Sequence, residues 1–294
     1  MIEELKTFVA VVEYNNFTKA AEAINMSQPA VSQQIKSLER MYDTVLIQRS
    51  HREKKIIITP EGKILYKRAK EIISLLREVK YEMEGYKKEF QGIIRIGASY
   101  TIGEFFIPKF LGEFTKAYPK IEFDITIDNT RTICKKVSDM ILDIGLVEGY
   151  FNCDEFIYDA FKEDILKLAV KKGYIDKGQV FKKKDFKDSV WISREEGSGT
   201  RQELETFFRE EGIVPKKIMV FGSNYSIKEA VKHGLGVTLT SEAVLNEAIE
   251  LDEVDIIRTS KEYKRKFHYI LPKGKIHSRL SILLVKMLKE LNVK

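Results

Sequence analysis

Apolar and polar positions alternate with different periods along the chain, and the periods divide it. Ile2, Leu5, Phe8, Val9 and Val12 recur at helical spacing and predict a first amphipathic helix, ended by Asn15-Asn16. Thr18 is placed as the cap of a short second helix, Lys19 to Ile24, in which Ala20 and Ala21 are small enough for a close helix crossing. Ser27 is a cap for a third helix, with Pro29 in its first turn, where no intrahelical donor is needed. Val31, Ile35, Leu38 and Met41 or Tyr42 form its apolar stripe, and Gln28, Ser32, Gln33 and Lys36 fall on the opposite face. Val45-Leu46-Ile47 and Ile56-Ile57-Ile58 flank a polar, basic tip, which reads as a hairpin wing. Helix, short helix, helix and wing make a winged helix-turn-helix.

A different period follows. Thr59-Pro60-Glu61 supplies a hydroxyl cap, a first-turn proline and an acid at the positive dipole end of a helix. Leu65, Ala69, Ile72, Leu76, Val79, Met83, Tyr86 and Phe90 then step alternately by four and three. That repeat, about 3.5 residues long, is the pattern of a coiled-coil seam and predicts pairing through a partner helix. Beyond residue 92 short β-rich runs alternate with helical ones. Strands are expected at Ile93–Gly97, Ile121–Ile127, Asp143–Val147, Ile165–Val170, Val190–Ile192, Ile218–Phe221 and Val237–Leu239. A last strand, Phe267–Leu271, and a helix, Ile276–Leu291, are expected to return to the first set. Two βα sets joined by crossovers imply an α/β region of two lobes with a cleft between them. The expected domains are residues 1–62, a linker helix 63–91, and 92–294 in two lobes, 92–162 with 267–294 and 163–266.

Composition narrows the function. The 294 residues are 44% hydrophobic and contain no run of about 18 apolar residues, so no membrane span is expected. The first residues lack a basic, then apolar, secretion signal, which points to the cytoplasm. Cys134 and Cys153 are too few for a disulfide scaffold and are expected to be structural or idle rather than a redox switch. The four histidines are scattered without metal or triad spacing, and no nucleotide-loop fingerprint occurs, so neither a metal, a cofactor nor an enzyme is expected. Net charge is +6, yet residues 1–62 carry 8 Lys/Arg against 8 Asp/Glu. Placement is more telling: Arg49, Arg52, Lys54 and Lys55 oppose only Glu53 at the wing. A basic wing suits phosphates, and short hydrogen-bonding side chains on the third helix suit base edges in a major groove. An ordinary polar surface has the same composition, so both readings stand on these residues alone.

The phrases are more specific than the composition. Phe17-Thr18-Lys19-Ala20-Ala21, Ser27-Gln28-Pro29-Ala30-Val31-Ser32-Gln33-Gln34-Ile35, Leu38-Glu39, Leu46, Arg49 and Thr59-Pro60-Glu61-Gly62 resemble the LysR-type transcriptional regulators. Asp43 stands where that family usually has glycine, Ile47 where it has phenylalanine, and Asn16 where it has serine. The resemblance implies a double-stranded DNA operator as partner. Gln28, Pro29, Ser32 and Gln33 would contact bases, with Thr18, Ser27 and Lys36 beside them and Arg49, Arg52 and Lys54 on the backbone. It also implies a homodimer or homotetramer paired through Leu65, Ala69, Ile72, Leu76, Val79 and Met83, contact with RNA polymerase, and a periplasmic-binding-protein-like effector domain.

Two turns in the α/β region are candidates for a ligand. Ala98-Ser99-Tyr100-Thr101 and Gly197-Ser198-Gly199-Thr200-Arg201 each join a strand to a helix start, where free N–H groups, a positive dipole end and hydroxyls favour an anion. Arg201 either adds charge there or pairs with Glu203 or Glu205; Tyr100 either walls the cleft or packs on its lobe. Gly97–Glu104, Asp143–Gly149 and Arg194–Arg201 resemble the CysL-like branch of the family, which is associated with sulfur assimilation, including control of sulfite reductase genes. That resemblance implies a small anionic effector such as sulfite, sulfate or a sulfur-metabolism acid, held by Ser99, Tyr100, Thr101, Asn129, Glu148, Ser198, Gly199 and Thr200. The alternatives are a non-sulfur carboxylate or aromatic acid as effector and, more distantly, a solute-binding protein or an enzyme on the same α/β fold.

Overall fold

The structure is a computed structural model that describes residues 1–49, 56–84, 90–175, 180–274 and 277–290. The chain divides into two compact units, Met1–Lys87 with Asp139–Ile141, and Lys88–Ser138 with Leu142–Lys294.

The first unit begins with α1 (Ile2–Tyr14), α2 (Phe17–Ala23) and α3 (Gln28–Met41). Asn15 ends α1 in the left-handed region at φ 47°, which asparagine tolerates better than most residues. The cap of α2 is Asn16, not Thr18: its carboxamide oxygen accepts from the backbone N–H groups of Thr18 and Lys19 at 2.8 and 3.0 Å. Asparagine two residues upstream outcompetes the threonine, so the helix starts earlier than expected and leaves Thr18 exposed. Ser27 caps α3 as predicted, accepting from Ala30 N–H at 3.4 Å. Val31, Ile35 and Leu38 are buried, whereas Met41 and Tyr42 are exposed, against expectation. The chain turns at Asp43 (φ 48°), and Leu46 from the next segment joins the buried cluster in their place.

Strands β1 (Ile47–Arg49) and β2 (Ile56–Ile58) pair antiparallel as a wing. Arg52 and Lys54 lie outside the described residues. Helix α4 (Pro60–Glu84) follows. Thr59 accepts from Gly62 N–H at 3.0 Å and donates to the Val45 carbonyl at 2.8 Å, tying the helix start to the wing root. Gly62 is needed there, since a Cβ would stand 2.3 Å from the Leu46 carbonyl oxygen. The expected seam splits. Ala69 is fully buried and Leu65 packs against the same core with α1, so these two serve their own unit. Ile72, Leu76, Val79 and Met83 stay exposed. Tyr86 lies outside the described residues. Phe90 leaves the series, its ring meeting Tyr118 edge-on in the second unit.

The second unit opens with β3 (Gly92–Ser99), a π-helical turn at Ile102–Phe106, α5 (Ile107–Ala117), β4 (Ile121–Asp128), α6 (Thr130–Ser138) and β5 (Ile144–Glu148). Next come β6 (Phe156–Lys171), β7 (Val190–Arg194), α7 (Gly199–Glu211), β8 (Lys217–Phe221), α8 (Asn224–Lys232) and β9 (Thr238–Ser241). Helix α9 (Glu242–Glu250) and strand β10 (Val254–Ile257) precede β11 (Tyr263–Pro272) and α10 (Arg279–Glu290). β3 runs parallel to β4 and β5, while β11 pairs antiparallel with both β5 and β6, so the chain does return to its first set. β9 and β10 attach to β6, and β7 pairs parallel with β8.

Two lobes result. One core holds Ile94, Ile96, Phe114, Phe161, Phe267 and Leu284. The other holds Leu166, Leu168, Trp191, Phe207, Leu239 and Tyr263. The change of core falls within β6, between Phe161 and Leu166, and within β11, between Tyr263 and Phe267. These two hydrogen-bonded strands are the crossing between lobes.

Candidate nucleic-acid face and effector cleft

The polar face of α3 lies in a concavity of about 840 Å³ lined by Gln28, Pro29, Ser32, Gln33, Lys36 and Arg40, with Asp43 to Val45 at its edge. Gln28 donates to Ser32 Oγ at 2.8 Å, one helical turn away, which fixes both side chains before anything docks. Gln33, Lys36 and Arg40 are exposed. Glu39 lines the same concavity, but its carboxylate accepts from the N–H groups of Leu46 and Ile47 at 2.9 and 3.3 Å. The acid is thereby spent on holding the wing root, and Lys36 and Arg40 set the sign of the face. Ser27 is engaged as a cap at its edge, and Arg49 closes β1.

In the second unit, the two candidate turns meet. Arg265 on β11 is buried and reaches both lobes: Nη2 donates to Thr101 Oγ1 at 3.1 Å and Nη1 to Thr200 Oγ1 at 3.0 Å. Its Nε donates to Asp164 Oδ2 at 2.8 Å, and Nη1 stands 3.7 Å from Glu148 Oε1. Ser99, at the end of β3, donates to the Glu148 carboxylate. Burial pushes the Glu148 carboxyl up to about 7, and Asp164 raises it further while Arg265 and Arg194 pull it down.

The remaining candidates take distinct positions around this centre. Ser198 is buried at the cap position of α7, but its side chain makes no capping hydrogen bond. Gly199 abuts the first lobe: a Cβ there would lie 2.4 Å from the Glu148 carbonyl oxygen. Asn129 is turned toward its own helix, accepting from Thr132 N–H and Oγ1 at 3.0 Å each, and donates across to Glu195 at 3.3 Å. Tyr100 walls the centre, its ring under the Arg194 guanidinium at 4.3 Å. Arg201 points away and pairs with Glu205 at 2.7 Å. Cys134 is half-buried, which pushes its thiol up to about 12, far from thiolate reactivity.

The group that joins the two turns, Arg265, was absent from the sequence candidates. It sits in Lys264-Arg265-Lys266, which has the composition of a solvated run. The available signal was alternation by two: Tyr263, Arg265 and Phe267 share the buried face of β11, and Lys264 and Lys266 the exposed one. Asn224 was missed as well. It is fully buried, accepts from Arg194 Nη1 at 2.7 Å and donates to Glu104 at 3.2 Å, linking α8 to the first lobe.

A DNA-facing helix-turn-helix followed by a two-lobed domain with a polar interlobe centre defines a ligand-responsive transcription regulator. The sequence matches the lysR-family bacterial regulatory helix-turn-helix over residues 2–63 and the LysR substrate binding domain over residues 87–292, and the chain belongs to the LysR family. It is 38% identical to the HTH-type transcriptional regulator CysL of Bacillus subtilis over 268 residues, 90% of this chain and 89% of that one. Full-length OxyR of Pseudomonas aeruginosa superposes with a TM-score of 0.77 at 17% identity, covering 98% of this chain and 94% of that one. The CcmR regulatory domain of Synechocystis PCC6803, solved in complex with 2-PG, superposes with a TM-score of 0.62 at 25% identity, covering 69% and 98%. Among the described residues no helix is long and apolar enough to cross a membrane.

Proposed function

We propose that this LysR-type regulator senses a small oxyanion at the meeting point of its two lobes, and that sulfite or a related sulfur acid is the effector. The observation that carries this reading is the convergence of Thr101 and Thr200, one from each lobe's helix start, on a single buried guanidinium. Their oxygens accept from Arg265, which leaves both hydroxyl protons to donate, and Ser198 adds a hydroxyl not used as a cap. Glu148 already holds Ser99 and shares Arg265, so an incoming anion takes the place of a carboxylate. That exchange favours compact oxyanions over bulky acids, because the lobes already touch at Gly199. The sulfur assignment rests on the likeness to CysL, and a phosphorylated or carboxylic effector such as the 2-PG of CcmR is the second reading.

Residues 1–62 serve as the operator reader, with Gln28, Ser32 and Gln33 on base edges and Lys36 on phosphate. The exposed part of the linker seam pairs two chains, and effector binding acts by its different affinity for two arrangements of the assembly.

A thermal-shift panel of sulfite, sulfate, thiosulfate, 2-phosphoglycolate and small carboxylates on the full chain tests the effector. Stabilisation by a sulfur oxyanion that vanishes in Thr200→Ala is the expected result. Stabilisation by 2-phosphoglycolate alone would favour the second reading, and no shift with any anion would overturn both. Footprinting tests the reader: Ser32→Ala with Gln33→Ala is expected to abolish protection of the operator while the chain stays folded.

A further inference from the structure

A second cavity, of about 580 Å³, opens beside the lobe crossing, on the surface shared by the π-helical turn, α5 and β6. It falls within the roughly 300–1,000 Å³ range of small-molecule sites. Its floor is aromatic: Phe106 lies 5.2 Å from Phe161 and 5.6 Å from Phe110, and Phe161 lies 6.2 Å from Phe267, centroid to centroid. Phe105, at its side, is 44% exposed. Its rim carries Lys109 and Lys162 together with Glu113 and Glu163. The two acids are engaged elsewhere, Glu113 with Lys116 at 3.0 Å and Glu163 with Lys264 at 2.9 Å. Among the described residues neither Lys109 nor Lys162 has an ion-pair partner within 4 Å. An apolar, ring-lined floor beneath two uncompensated ammonium groups is complementary to a molecule with an aromatic body and a single acidic end.

We propose that this cavity binds an aromatic carboxylate, with its ring among Phe105, Phe106 and Phe161 and its acid between Lys109 and Lys162. The site is separate from the oxyanion centre and does not depend on it, but the two share a wall. Thr101 and Asp164 line the cavity on one side and accept from Arg265 on the other. An occupant therefore touches the same two residues that hold the interlobe guanidinium, which gives it a route to modulate the first site.

The test uses the full chain and 1-naphthoate, followed by its fluorescence and by calorimetry. Saturable binding of one molecule per chain is expected, weakened about tenfold or more in Lys109→Gln with Lys162→Gln and for the neutral probe 1-naphthylmethanol. Both lysines are exposed, so folding is expected to survive the substitution. Binding is expected to persist in Ser99→Ala, which separates this cavity from the oxyanion centre. Absence of saturable binding, equal affinity in the lysine variant, or loss in Ser99→Ala would each overturn the proposal. So would a fall in sedimentation coefficient on Phe105→Asp with naphthoate affinity unchanged, since a second copy of the chain would then be the occupant.

Discussion

Glu148 is 2% exposed and shares one guanidinium with Asp164, and its environment makes the sensor sensitive to pH. Its carboxyl holds its proton up to about 7 in the folded chain, against an ordinary 4.5. The folded state therefore binds the proton more tightly than the unfolded one. The resulting stabilisation is complete below 4.5 and is lost as pH rises through about 7. Glu148→Gln is expected to flatten the decline in melting temperature of the sensor between pH 5.5 and 8, by about 2–4 °C for each kcal/mol removed. An unchanged pH profile would show that this carboxyl does not titrate in that window. For anion binding the sign is the same: a ligand charge beside an ionised Glu148 is repelled, so affinity is expected to weaken above neutrality in the wild type and to be level in the variant. Much of this centre was legible in the sequence, because hydroxyls and glycines at strand-to-helix joints announce themselves. The guanidinium that organises them was not, since an arginine between two lysines reads as surface until its place on the strand is known.

At the scale of elements, the linker helix divides into a part that serves its own unit and a part that serves another chain. Leu65 and Ala69 pack inward with α1, whereas Ile72, Leu76, Val79 and Met83 are 40 to 72% exposed. Leu76→Glu with Val79→Glu is expected to weaken self-association at least about tenfold in sedimentation velocity, with the melting of an isolated, otherwise monomeric reader unit unchanged. Ala69→Glu is expected instead to unfold that unit, because it buries a charge without a partner, and circular dichroism would register the loss. The heptad was visible in sequence, but a repeat of apolar positions does not say where the seam leaves its own core. Strand β6 illustrates the opposite limit. Its second half, from Ile165, was expected; its first half carries Tyr158, Asp159, Lys162 and Glu163, and a partly solvated crossing strand lacks the clean apolar run that marks a core strand. Helix α9 and β10 went unanticipated for a similar reason, being short and close to acidic residues.

On the scale of the whole sensor, the lobes are held together without any ligand. Gln202 accepts from Tyr150 N–H at 2.7 Å, Asn129 donates to Glu195, and Arg131 pairs with Glu196 at 2.9 Å. Gly199→Ala places a methyl 2.4 Å from the Glu148 carbonyl oxygen and must push the lobes apart. A lower melting temperature of the sensor and an anion affinity reduced about tenfold are expected, read by calorimetry; wild-type affinity would show that the contact is not required for binding. The two cores also differ in when they can be completed during synthesis. The second lobe is laid down between the first and last parts of the first, whose core joins Ile94 to Leu284 and Leu288. On the ribosome the second lobe can therefore close while the first still waits for β11 and α10, its early strands exposed. A nascent chain is committed to a half-built lobe for most of its translation, and a stalled or truncated product is open prey for chaperones and proteases. The interleaved fold thus makes the regulator's cellular abundance depend on finishing its last few dozen residues.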